Sequence, residues 1–109
     1  MLSIQNRLQA IKTALTSVQG AKVYHYTKPA ETKAPYVVWA EETGDTFGAD
    51  NRRGEYSIQG TIDIYSKEEF DSLFDDIPNA LDGVASCRLN SIQYEDETKL
   101  IHYEYYFWC

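Results

Sequence analysis

The chain has 109 residues, 43% hydrophobic and 14% aromatic, with nine tyrosines and a formal net charge of −7. A chain of this length buries roughly 65% of its unfolded surface, enough for a single domain spanning residues 1–109, and its two cysteines, Cys87 and Cys109, are too few and too distant to read as a disulfide framework. Residues 1–40 carry five Lys/Arg against one acidic residue, and residues 41–109 carry five against sixteen, so the larger part repels a phosphate backbone and sequence-specific nucleic-acid binding is not expected.

The opening "MLSIQNRLQAIK" lacks the apolar run of a signal peptide, and no segment is long enough to span a bilayer. A cytosolic protein without a membrane partner is the expectation. Residues 3–19 read as an amphipathic helix, with Ser3 as cap and Ile4, Leu8, Ile11, Leu15 and Val18 on one stripe. Gly20 supplies a left-handed stop. "KVYHY" (22–26) is a short strand, and "PYVVWAEE" (35–42) the next, with Pro35 tolerated only at its start.

"GDTFGADNRRGEY" (44–56) then forms a long connection, rich in glycine and carrying Arg52 and Arg53. A phosphate-binding loop would need a lysine and a following helix. This stretch has no lysine and leads into the strand "EYSIQGTIDIY" (55–65), so a long hairpin excursion fits better. Connections of this length are often functional, and paired arginines suit carboxylates on a partner. A solvated tip is the equal alternative.

In the strand 55–65, Tyr56, Ile58, Ile62 and Ile64 alternate with Ser57, Gln59, Thr61 and Asp63, the mark of a half-buried antiparallel strand. "SKEE" (66–69) reads as a capping box that opens a second helix. That helix carries Phe70, Leu73, Phe74, Ile77 and Leu81 on one side, and Pro78 should kink its last turn or end it early. Two long strands close the chain, joined by a turn near Glu97 and Thr98.

The order α-β-β-β-α-β-β predicts an α+β fold, an antiparallel sheet of about five strands with two helices on one face. The other face is expected to present Trp39, Gln59, Thr61, Asp63, His102, Glu104 and Tyr106. Neither the histidines nor the cysteines stand at zinc-ligand spacing, so no metal or other cofactor is expected. The acids Glu68, Asp71, Asp75 and Asp76 are better explained by helix-start electrostatics than by catalysis. The residues thus point to a binding or structural protein rather than an enzyme.

The segments "VYHYTKPAETKAPYVVWAE" and "GTIDIYSKEEFDSLFDDIPNAL", behind an amphipathic first helix, resemble the tail-terminator, or tail-completion, proteins of long-tailed phages and prophages. The likeness covers roughly residues 1–82 and continues more weakly through the closing strands. It implies a structural subunit that caps the tail tube and joins head to tail, usually as a hexameric ring. The implied partners are copies of itself, the tail-tube protein and the head-side connector. The implied location is the host cytoplasm during assembly and then the virion. No catalytic or metal residue is implied. The expected contacts are Trp39, Asp45, Phe47, Asp50, Arg52, Arg53, Tyr106 and Trp108. Two rivals remain: a small-ligand regulatory domain that dimerises through its sheet, and a minor hydrolase using His102 or Cys87.

Overall fold

The computed structural model describes residues 3–42 and 58–109. The elements follow the expected order: α1 (Ile4–Thr16), β1 (Val23–His25), β2 (Tyr36–Glu42), β3 (Gln59–Ser66), α2 (Leu73–Ala80), β4 (Ser86–Glu95) and β5 (Leu100–Trp108). The fold is α+β, with one five-stranded sheet in the order β1-β2-β3-β5-β4.

The sheet is mixed rather than antiparallel throughout, because β1 runs parallel to β2 with Val23 opposite Val37. A hairpin would have joined these strands through a short turn. Instead Tyr26 takes a positive φ of 76° and leaves the strand, and the chain through residue 35 returns to the start of β2. The Val37 amide then bonds the Lys22 carbonyl at 2.8 Å. The remaining neighbours, β2 with β3, β3 with β5, and β4 with β5, are antiparallel.

Ser3 caps α1, its hydroxyl accepting the Asn6 amide at 3.0 Å, and Gly20 holds the expected positive φ of 83°. The regular helix stops at Thr16, where the Thr16 and Ser17 hydroxyls bond back to the Lys12 and Ala14 carbonyls. Those bonds satisfy acceptors that a helix end leaves open.

Cross-strand partners share a face, so the register assigns every side chain. Val37, Trp39, Ile62, Ile64 and Phe107 stand on one face and pack with Ile11 and Leu15 of α1 and with Leu73, Phe74 and Ile77 of α2. The core is therefore one-sided, with both helices above the same face. Gly60 lies within it, below Phe107. A Cβ there would stand 2.1 Å from the Ala40 carbonyl oxygen and 2.7 Å from the Phe107 ring.

The second helix differs from its sequence reading. Ser66 ends β3, buried, and does not cap a helix at that point. Its hydroxyl accepts the Glu68 amide and donates to Asp71 Oδ2, while Asp71 Oδ1 accepts the Leu73 amide. The start signal thus sits one turn later, and Phe70 is left 92% exposed instead of joining the helix stripe. Pro78 lies inside α2 and has no N–H for the Phe74 carbonyl four residues back. The Tyr105 hydroxyl supplies the missing donor, at 3.1 Å.

Two outcomes follow for stability. Tyr105→Phe leaves the Phe74 carbonyl without that donor and should cost about 1–3 kcal/mol in urea unfolding; the same change in a Pro78→Ala background should cost clearly less. Gly60→Ala should cost about 1–3 kcal/mol through overpacking, since the opposing atom is backbone and cannot rotate away; thermal unfolding reads this directly.

Candidate interaction surface

The face opposite the helices is built by the alternate residues of β2, β3, β5 and β4. At the end of the sheet where residues 42 and 59 pair, it presents Tyr106 and Trp108 of β5 beside Gln59 of β3 and Arg88 of β4. Tyr106 is 38% exposed. The Arg88 guanidinium lies over its ring, 6.0 Å from the centroid, a cation–π distance. Together with Glu42 these residues line a groove of about 510 Å³.

Of the residues expected to make contacts, Tyr106 and Trp108 are thus brought together. Trp39 is a correction. It pairs with Ile62 on the helix-bearing face and is 1% exposed, stacked on His25 at 3.9 Å and edge-on to Phe107. An indole of that size fills the core beneath α1 and is not available to a partner. Asp45, Phe47, Asp50, Arg52 and Arg53 lie outside the described residues, as does the reading of 44–56 as a hairpin excursion. Sequence reasoning missed Arg88 and Glu42, because only the strand order places them beside Tyr106.

The other end of the open face holds a polar cluster. Tyr36 stacks on Tyr65 at 4.8 Å, and Tyr65 on His102 at 4.2 Å. His102 Nε2 lies 2.7 Å from Asp63 Oδ1, and its Nδ1 lies 3.6 Å from Glu95 Oε2. The Asp63 hydrogen bond raises the His102 pKa above its ordinary value against the opposing effect of burial, and the charges of Asp63, Glu95 and Glu104 add to the rise. Burial pushes the Tyr65 phenol up, assisted by Asp63, so that ring stays neutral. Set between Asp63 of β3 and Glu95 of β4, His102 of β5 ties three strands together across the open face.

On the helix-bearing face, a smaller cleft of about 250 Å³ lies between α1 and β1–β2. Glu41 is its centre, accepting from the Tyr26 hydroxyl and lying 2.7 Å from His25 Nε2. Burial pushes the Glu41 carboxyl up, yet the bonds from Tyr26 and His25 outweigh it and hold the pKa below the ordinary value. The Cys87 thiol is pushed up by burial alone, and the Cys109 thiol by burial against an opposing effect from Arg7. Higher thiol pKa values mean less thiolate at neutral pH. Among the described residues no cluster of three or more His, Cys, Asp or Glu could hold a metal ion, and no helix is long and apolar enough to cross a membrane. Comparison with known families and with curated proteins finds no match for the chain.

The His102 pair makes stability depend on pH. Its folded pKa is raised above the ordinary 6.5, so its contribution is complete just below that value and is lost as pH rises through the folded one. Proton NMR should place the His102 midpoint above 6.5, and Asp63→Asn should lower it. The stability gap between the two proteins should narrow over the same rise in pH.

Proposed function

We propose that this chain is a structural protein of phage or prophage assembly that caps the tail tube and contributes to head–tail joining, acting as a ring. The observation that carries this reading is the open sheet face. It is broad and aromatic, and its Tyr106–Trp108–Arg88 groove is shared among four strands. Aromatic and arginine side chains in such a setting are the usual anchors of protein interfaces. The segments that carry the family likeness support it as well. Of those segments, "PYVVW" leads into β2 and "IDIYSK" runs through the end of β3, two inner strands of the sheet.

In this reading the fold works by shape and contact, without a cofactor. The rigid one-sided core holds the sheet, and the sheet presents the open face to the end of the tube or to the head-side connector. Copies of the subunit close the ring, a hexamer by the family likeness. An acidic surface around the path of packaged DNA disfavours adhesion to phosphate, so the polymer slides.

The test is functional. Added to polymerising tail-tube protein from the same phage, the wild-type chain should arrest elongation and give tubes of limited length with density at one end by electron microscopy. Tyr106→Ala and Trp108→Ala should each weaken capping by about tenfold or more while the far-ultraviolet circular dichroism is unchanged. Unarrested tubes, together with a stable dimer whose melting temperature rises with a small metabolite, would replace this reading with the ligand-domain rival.

A further inference from the structure

Beside α2, the helix-bearing face of the sheet is left partly uncovered on its outermost strand. β4 is the edge strand, and its register places Leu89 opposite Tyr105, Ile92 opposite Tyr103 and Tyr94 opposite Ile101. All three therefore stand on the core face of the sheet. They are nevertheless 42%, 53% and 58% exposed. A bulge at Asn90 keeps them in line: without the extra residue Ile92 would pass to the open face. Phe70 is exposed at the same end of the sheet, four residues after Ser66, whose row also holds Ile101 and Tyr94. An apolar stripe of this kind marks an interaction site.

Charge says what covers it. The stripe borders the segment 66–85, which carries one lysine and six acidic residues, with Asp75 and Asp76 exposed on α2. The opposite edge of the sheet has the reverse sign. α1, β1 and the connection to residue 34 carry five Lys/Arg and one glutamate, with Lys12 and Lys33 exposed. That edge has exposed apolar side chains of its own, Ile4 and Tyr26. The molecule thus carries two patches of like composition and opposite charge on opposite edges of one sheet.

We infer that the β4 stripe docks a second copy of this chain, head to tail, against that copy's α1–β1 edge. A two-fold dimer through the stripe would place the acids of α2 against each other, whereas a heterologous contact pairs acid with base at every interface. Such a contact leaves one free patch at each end, so copies add until the rotation closes a ring. The inference rests on the ring reading above and names the surfaces that would build it.

Charge reversal with cross-complementation tests it by sedimentation velocity. Wild-type chain should associate, and association should weaken as salt rises from about 0.05 to about 0.5 M. K12E/K33E and D75K/D76K, all at exposed positions, should each keep native circular dichroism and each lose association by at least about tenfold. Mixed in equal amounts they should associate again, because each supplies the patch the other lacks. Ile92→Glu, in the stripe itself, should lose association alone, stay monomeric with D75K/D76K, whose defect lies on the same patch, and regain a contact only with K12E/K33E, whose stripe is intact. A wild-type chain that stays monomeric at all concentrations overturns the inference, as do charge variants that associate like wild type or a mixture that stays monomeric. Tube capping by the same preparations is read separately, so loss of this interface can be told from loss of the capping role.

Discussion

α2 covers only part of the sheet beneath it. Its eight residues extend about 12 Å, whereas the ten residues of β4 extend about 33 Å. Much of the rest follows from that mismatch. The core closes where α1 and α2 both reach, around Trp39, Ile62, Ile64 and Phe107. On the edge strand beside α2 the same face continues with the exposed side chains of Leu89, Ile92 and Tyr94. Even the short helix needs support from the sheet, since Tyr105 donates to the carbonyl that Pro78 cannot serve.

The two faces of the sheet differ in how they are held. The helix-bearing face is closed by apolar contact, which is non-directional and tolerates the single large indole of Trp39. The open face is tied by directed interactions across strands: His102 between Asp63 and Glu95, Tyr65 stacked on His102, and Asn90 bonded to Glu104 at 2.7 Å. These lie towards one end, and Tyr106 and Trp108 stand at the other. Stiffness at one end and accessible aromatic surface at the other is an arrangement suited to docking without loss of the sheet.

Much of the fold was legible in the sequence because it was periodic. Ser3, Ile11 and Leu15 specified the start and buried stripe of α1, which ends at Thr16, ahead of the stop read at Gly20, and the alternation Gln59 to Ile64 specified the faces of β3. Local signals were less dependable where two residues competed for one role. Ser66 and Glu69 had the spacing of a capping box, but Asp71, nearer the helix, took the amide of Leu73. The parallel placement of β1 had no local signature at all, because strand direction is decided by where a connection returns. Trp39 shows the same limit in the site: parity put it with Val37, and only the packing of α1 tells which of the two faces is covered. The stripe did leave a trace, since the three-residue step from Leu89 to Ile92 breaks a period of two, and a bulge accounts for it.

The two tryptophans stand on opposite faces of one sheet, a few residues' width apart and in unlike surroundings. Trp39 is sealed under α1 against the His25 ring, so its emission is shielded from solvent. Trp108 belongs to the open face, beside the Arg88–Tyr106 pair. The protein therefore carries two built-in optical labels, one that reports whether the core is closed and one that reports what happens on the surface, and each can be read alone by replacing the other with phenylalanine.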